Sequence, residues 1–260
     1  MKNPIALITG GGSGLGLELA KLFAADGYSL ILVSRNEAHL KQAQAELEAA
    51  YHATVEIISL DLTDLEALPG IFMKLKERGL KINVLVNNAG FGLLGAFTEL
   101  DIKKQLNTIA LNISALTYLT RLFLDQAPEN AKILNMSSLA AFQPGPYMNV
   151  YYATKAYVLS FSEALAEELE DKNISVTALC PGPVATDFWK VSDPNRTRVP
   201  RTTMISRLSP EFVARAGYRG LQQGRRVVVP GIMNKLLIFA NRFLPRSIVT
   251  SIVKGLNTKL

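Results

Sequence analysis

Residues 4–16, PIALITGGGSGLG, constrain the fold more than any other stretch of the chain. Ile5 to Ile8 are apolar without alternation, the pattern of a strand covered on both faces. Thr9 and Gly10 end that strand. Gly14 and Gly16 then flank the start of a helix whose apolar positions Leu15, Leu19, Leu22 and Phe23 recur at helical spacing. A strand, a turn and a helix in that order aim backbone N–H groups and a helix N-terminus at one point, which suits a pyrophosphate. Glycine serves there because a Cβ would hold the backbone off the phosphate oxygens or block the turn. The spacing is G-x-x-x-G-x-G, not G-x-G-x-x-G, so on this stretch alone a glycine-rich turn without a ligand remains an alternative.

The rest of the chain repeats the alternation. Strands are predicted at Tyr28–Val33, Thr54–Leu60, Asn83–Val86, Lys132–Met136, Ser175–Leu179 and Arg226–Val229. Between them lie helical patterns at Asn36–Ala50, with Asn36 as N-cap, and from Asp64 to about Arg78. Others run over Glu99–Asp125, as one helix or two, and from about Val150 to Asp171. Ser209-Pro210-Glu211 reads as the cap and first turn of a helix ending near Gly224. Strands separated by helices imply a parallel sheet of about seven strands wrapped on both faces, an α/β fold, and no linker divides residues 1–260.

Composition excludes several classes. With one Cys and two His among 260 residues, neither a disulfide framework nor a zinc site is expected, and the metal expectation is none. A reducing, cytoplasmic setting fits that cysteine usage. No apolar run reaches 18 residues and no signal peptide precedes the first strand, so at most peripheral attachment to a membrane is expected. The net charge of +6 is divided unevenly. Residues 190–260 hold 14 Lys/Arg against 2 Asp/Glu, whereas residues 1–189 hold 14 against 20.

In a parallel sheet of this kind ligands sit beyond the carboxyl ends of the strands. Thr9–Gly16, Ser34-Arg35, Asp61-Leu62, Asn87–Gly90, Ser137-Ser138 and Pro181-Gly182 fall there, and together they make one polar, glycine-rich rim. Asp61 is placed to bond an adenine amino group, Gly90 to admit a ligand close to the backbone, and Arg35 to pair with an anion. Tyr151 and Lys155 stand four apart at the start of a helix, on one face. A cation beside a phenol draws its pKa down from about 10, which suits general acid/base work. An isolated Y-x-x-x-K is also an ordinary surface pair.

These residues together identify the chain, over residues 4–230, as resembling the short-chain dehydrogenase/reductase family. Thr9-Gly10-x-x-x-Gly14-x-Gly16 is similar to its glycine turn, Asn87-Asn88-Ala89-Gly90 to its N-N-A-G segment, and Pro181-Gly182-x-x-x-Thr186 to its P-G-x-x-x-T run. Asn112, Ser138, Tyr151 and Lys155 match its catalytic residues, with Ser138 preferred to Ser137 because the family places its Ser 13 residues before the Tyr. The resemblance implies a Rossmann-like doubly wound sheet. It implies hydride transfer between a nicotinamide and a carbonyl or alcohol carbon, with Ser138 on the substrate oxygen and Tyr151 as proton donor. Lys155 would then bind the nicotinamide ribose, and Asn112 would hold a water leading from Lys155 to solvent. The cofactor contacts it implies are Gly10, Ser13, Gly14, Leu15, Gly16, Arg35, Asp61, Leu62, Asn88, Ala89, Gly90, Tyr151, Lys155, Pro181, Gly182, Val184 and Thr186. A dinucleotide-binding sensor without turnover is the alternative function.

Ser34-Arg35 stands where an enzyme using NADH usually carries an acid. A hydroxyl and a guanidinium favour a 2′-phosphate, so NADPH is expected over NADH. By the same resemblance Leu139, Phe142, Tyr147, Phe188 and Trp189 line the substrate pocket, with a substrate loop at about 183–209. Their apolar, aromatic character points to a hydrophobic ketone, aldehyde or 3-oxoacyl group. A homodimer or homotetramer is the family's usual state. Beyond Gly231 an amphipathic extension, about residues 232–260, carries Ile232, Leu236, Leu237, Phe239, Phe243 and Leu244 among scattered Lys and Arg. It is expected to cover the pocket or an interface, or else to contact an anionic membrane or an acidic acyl carrier. No nucleic acid partner is expected.

Overall fold

The computed structural model describes residues 3–186, 188 and 208–258. Seven parallel strands form one sheet in the order β3-β2-β1-β4-β5-β6-β7. They are β1 Ile5–Thr9, β2 Ser29–Ser34, β3 Val55–Ser59, β4 Val84–Asn87, β5 Lys132–Met136, β6 Ser175–Leu179 and β7 Val227–Val228. The order reverses between β1 and β4, and the crevice above that reversal is where such sheets bind ligands.

Uniformly apolar strands are explained by what covers them. Ala6 and Ile8 of β1 and Leu30 and Leu32 of β2 face one layer, while Ile5, Leu7, Ile31 and Val33 face the other. The first layer is α1 Gly14–Ala25, α2 Glu37–Tyr51 and α7 Pro210–Gln222, through Leu19, Phe23, Leu40, Leu47, Val213 and Leu221. The second is α3 Leu68–Glu77, α5 Leu116–Leu124 and α6 Asn149–Glu168, through Ile71, Leu75, Leu119, Phe123 and Ala166. Each Leu, Ile or Phe fully buried this way contributes about 1.5–3 kcal/mol.

Local chemistry sets the helix ends. The side chain of Asn36 accepts a hydrogen bond from the His39 amide at 3.1 Å, and that of Ser209 accepts from Phe212 at 3.2 Å with Pro210 in the first turn. The helix expected from Asp64 begins instead at Leu68. Pro69 lacks an amide donor and fits only the first turn, so residues 64–67 make isolated turns before it. The stretch expected over Glu99–Asp125 starts at α4 Ile102–Ile109, where Asp101 accepts from the Lys104 amide at 2.9 Å. It then passes through a π-helical segment, Ala110–Ala115, before α5.

Beyond β7 the chain forms α8 Ile232–Asn241 and α9 Arg246–Thr258. The apolar stripe of α8 does not face the protein. Asn234 is the only residue of that helix that is fully buried, while Ile232, Leu236, Leu237 and Phe239 are exposed.

The packing of α1 against the turn before it gives a stability test. A Cβ on Gly16 would overlap the Gly10 carbonyl and lie 2.7 Å from Asn88 Nδ2. Gly16→Ala is therefore expected to lower unfolding free energy by about 1–3 kcal/mol in chemical denaturation, and an unchanged midpoint would contradict this packing.

Candidate active site

The site is assembled at the carboxyl rim from β1, β4, β5 and β6. At the end of β1, Gly10 takes φ +65° and Gly14 φ +54°, conformations that only glycine adopts without strain. Ser13 caps α1 without using its side chain on the first turn, and no acid lies in that turn, which leaves the helix N-terminus suited to an anion. Leu15 packs against the core below it.

This turn is knitted to the loop after β4. Thr9 Oγ1 donates to the Val86 carbonyl at 3.2 Å and accepts from the Asn88 and Ala89 amides, both at 3.0 Å. Asn88 Nδ2 returns two bonds to the Thr9 and Gly10 carbonyls, at 2.9 and 3.3 Å. Gly90 comes next, so close to the site centre that a Cβ there would stand 2.9 Å from Asn112 Oδ1 and 3.4 Å from Lys155 Nζ.

Asn112 lies in the π-helical segment, which turns it inward. Its Nδ2 donates to the Phe91 carbonyl at 2.9 Å and to Thr154 Oγ1 at 3.0 Å, and its Oδ1 accepts from the Phe91 amide at 3.2 Å. The side chain is thus anchored to the Phe91 backbone and to Thr154.

The two serines after β5 have separate tasks. Ser137 is buried and donates to the Lys155 carbonyl at 2.9 Å, whereas Ser138 stands beside the Tyr151 side chain and favours its ionised form. Ser138 Oγ also accepts from the Ala140 amide at 3.1 Å and reaches the Pro181 carbonyl at 3.4 Å. Tyr151 and Lys155 converge from the first turns of α6. Lys155 Nζ lies 5.8 Å from the Tyr151 ring centroid and donates to the Met136 carbonyl at 2.7 Å. Gly92 also packs closely on Tyr151, where a Cβ would meet its ring at 2.7 Å.

Burial governs both protonation equilibria. It pushes the Tyr151 phenol up to about 12, against the pull of Ser138, and draws the Lys155 ammonium from the usual 10.5 to about 8. The low phenol pKa expected from sequence is therefore reversed. Desolvation of the phenolate outweighs a cation that stands beyond the ring and spends a donor on Met136.

Towards the outer strands the rim is more open. Arg35 is 64% exposed, and its Nη1 stands 3.6 Å from Asp61 Oδ2. Asp61 also accepts from the Thr63 amide and hydroxyl at 2.9 and 2.8 Å. Burial opposes its ionisation, but the Thr63 bonds and the Arg35 guanidinium together hold its pKa below the ordinary value. Leu62 points into the core, so only its backbone faces the rim. On the other flank, Val184 is buried and bridges Leu208, and Thr186 approaches Gly14, where a Cβ would contact its Cγ2 at 3.4 Å.

The expected substrate residues do not all gather. Leu139 lies beside Gly182, and Phe188 is 5.3 Å from Tyr151 by ring centroids. Phe142 instead packs against the cluster of Leu159, Ala178 and Cys180. Tyr147 is held at φ +66° while its carbonyl accepts from the Gly95 amide at 2.9 Å. Trp189 and most of the substrate loop at 183–209 lie outside the described residues.

Several contributors escaped the sequence reading. Gly92 and Thr154 are small residues whose importance lies in contacts across the fold. Asn234 stacks over Gly182, where a Cβ would lie 2.9 Å from its Nδ2, and the one available signal was an Asn inside an apolar helical run.

A parallel sheet covered on both faces, with a glycine turn at its switch point and a half-buried Tyr beside a buried Lys on the same rim, defines a Rossmann-like fold of the dinucleotide-binding class. A family profile described as short chain dehydrogenase matches residues 4–197. A very-long-chain 3-oxoacyl-CoA reductase of Rattus norvegicus is 32% identical over 98% of this chain and 80% of its own length. The solved short-chain dehydrogenase from Sphingobium yanoikuyae in complex with NADPH superposes with a TM-score of 0.80, at 28% identity over 99% of this chain and 96% of that one. The bulky-bulky ketone specific alcohol dehydrogenase from Comamonas testosteroni does so with a TM-score of 0.77, at 29% identity over 94% and 93% of the two chains. The chain belongs to the short-chain dehydrogenase family and is an oxidoreductase.

Lys155 carries its charge below about pH 8 and loses it above. Its side-chain ¹³Cε resonance is expected to titrate with a midpoint near 8, against about 10.4 for exposed lysines. A midpoint near the exposed value would contradict the desolvated placement.

Proposed function

We propose that this protein is an NADPH-dependent carbonyl reductase acting on a hydrophobic ketone, aldehyde or 3-oxoacyl group. The observation that carries the reading is the Ser138–Tyr151–Lys155 constellation, with Lys155 buried and the other two half-buried, set beside a glycine cradle that side chains would fill.

The residues fit a dinucleotide. Gly10, Ser13, Gly14, Leu15 and Gly16 form the pyrophosphate cradle, and Asn88, Ala89 and Gly90 form the wall beside it. Pro181, Gly182, Val184 and Thr186 close the nicotinamide end. Asp61 and Leu62 border the adenine. Arg35 is exposed enough to exchange its long contact with Asp61 for a 2′-phosphate, which its guanidinium binds through two N–H groups.

When bound, the nicotinamide supplies the hydride that reduces the carbonyl carbon. The Ser138 hydroxyl donates to the carbonyl oxygen and fixes it next to the Tyr151 hydroxyl. Tyr151 is protonated throughout the neutral range, so it acts as the acid that gives that oxygen its proton. Lys155 keeps its position through Met136 and offers its remaining N–H groups to the nicotinamide ribose. Below about pH 8 its charge favours the phenolate left after proton transfer. Asn112 is a positioning residue, holding the Phe91 backbone and Thr154 around the pair.

The substrate class rests on Leu139 and Phe188 beside the reacting groups, and the 3-oxoacyl and bulky-ketone relatives point the same way. Homo-oligomerisation is proposed through the exposed Ile102, Leu106 and Ile109 of α4 with Tyr157 of α6.

Two measurements test the reading. Tyr151→Phe should fold and bind NADPH, seen by fluorescence, yet lose carbonyl-dependent NADPH oxidation by about 10²–10⁴-fold. Parent-level turnover in that variant would refute the role of Tyr151. Arg35→Asp should move preference from NADPH towards NADH, by at least about tenfold in the ratio of kcat/KM values. A ratio unchanged by the substitution would remove Arg35 from cofactor choice.

A further inference from the structure

Helix α8 is amphipathic in the inverted sense. It turns Asn234 and Asn241 towards the protein and Ile232, Met233, Leu236, Leu237 and Phe239 outward. Phe243, just beyond α8, is 73% exposed and meets Phe239 edge-on at 5.0 Å, and α9 exposes Ile248 and Ile252 in turn. Of the large apolar side chains exposed among the described residues, nine lie between Ile232 and Ile252. Such a concentration of exposed apolar side chains on a folded chain marks an interaction surface.

The charge around the patch selects the partner. Residues 212–260 contain nine Lys/Arg and no Asp or Glu. Lys235, Arg242, Arg246 and Lys254 are interspersed among these apolar residues along the chain and are exposed, and among the described residues none of them makes an ion pair. A second copy docked by this face through a two-fold axis would set these cations against themselves with no acid to answer them. A bilayer carrying anionic headgroups satisfies both halves of the surface. The aliphatic and aromatic side chains enter the acyl boundary while the ammonium and guanidinium groups stay at the phosphates.

The inner face of the same helices ties this surface to the rim of the site. Asn234 Nδ2 donates to the Pro230 carbonyl at 2.7 Å and lies over Gly182. Asn241 bonds Gln143, and Asn257 Nδ2 donates to the Pro146 carbonyl at 2.8 Å while its side chain stands near Tyr152, the neighbour of Tyr151. We infer that the outer face of α8 and α9 docks this enzyme on an anionic lipid surface, with its substrate rim held next to the bilayer. The delivery of apolar substrates from the bilayer rests on the proposed reductase activity, but the docking itself does not.

Sedimentation with vesicles separates the two. Neutral phosphatidylcholine vesicles are compared with vesicles containing about one third phosphatidylglycerol, at salt concentrations of about 0.01 and 1 M, where the screening length falls from about 30 to about 3 Å. Binding is expected to the anionic vesicles at low salt, weakened at high salt and absent with neutral lipid. Lys235→Gln with Arg242→Gln should lower partitioning about 30-fold, near fivefold per cation. Leu237→Glu with Phe243→Glu should lower it at least about tenfold. All four side chains are exposed, so thermal melting should match the parent, and NADPH oxidation with a water-soluble ketone in the absence of vesicles should be unchanged. No binding to anionic vesicles at low salt would overturn the inference. So would a concentration-dependent dimer abolished by Leu237→Glu, retention by an acidic acyl carrier without vesicle binding, or loss of soluble-ketone turnover in these variants.

Discussion

The hydroxyl of Thr9 joins the two strands between which the sheet reverses, and the rim depends on that junction. It donates to β4 and accepts two amides from the loop beyond it, so the ends of β1 and β4 cannot separate without stranding buried polar groups. Each such bond contributes only about 0.5–1.5 kcal/mol net, but leaving a partner unsatisfied costs about 1–3 kcal/mol. The glycine turn, the Asn88 side chain and Gly90 are all placed from this junction. Through Gly90 it reaches Asn112 and Lys155, which arrive from helices remote in sequence.

Desolvation then decides the chemistry at the centre. Lys155 is only 4% exposed, and Tyr151 is enclosed by Gly92, Ser138 and Phe188. In water the pair would settle as a cation beside a neutral phenol with little influence on one another. Inside the protein the phenol resists ionisation while the ammonium becomes easy to discharge, so burial favours the neutral form of both groups. A proton donor that stays protonated, next to a cation that responds to its surroundings, is suited to reduction.

Strand positions, the parallel sheet and the Tyr-Lys pair were legible because each is a local pattern. Runs such as YSLILV report a strand buried on both faces, and a spacing of four reports a shared helix face. The division of labour between Ser137 and Ser138 was not local, because it depends on how each of the two meets α6. The phenol pKa was misjudged because sequence shows the cation and hides the desolvation. On α8 the amphipathic pattern was readable, but its direction was not. Periodicity shows that a helix has an apolar side without saying whether protein lies on it, and here two asparagines took the inner side.

The π-helical segment at Ala110–Ala115 has a consequence for how this chain tolerates change. Each residue added to a helix rotates the remainder of the rod by about 100°. The wider turn therefore lets α4 and α5 present different faces from what would otherwise be one rod. α4 buries Gln105 and Thr108 and keeps Ile102, Leu106 and Ile109 outward, while α5 sends Leu119 and Phe123 into the sheet. Asn112 sits at the change of phase. Losing a single residue there would swing the two halves out of alignment, so that either the Asn112 contacts or the core contacts of α5 must fail. Substitutions along this helix are separable, one side chain at a time, but its length is not.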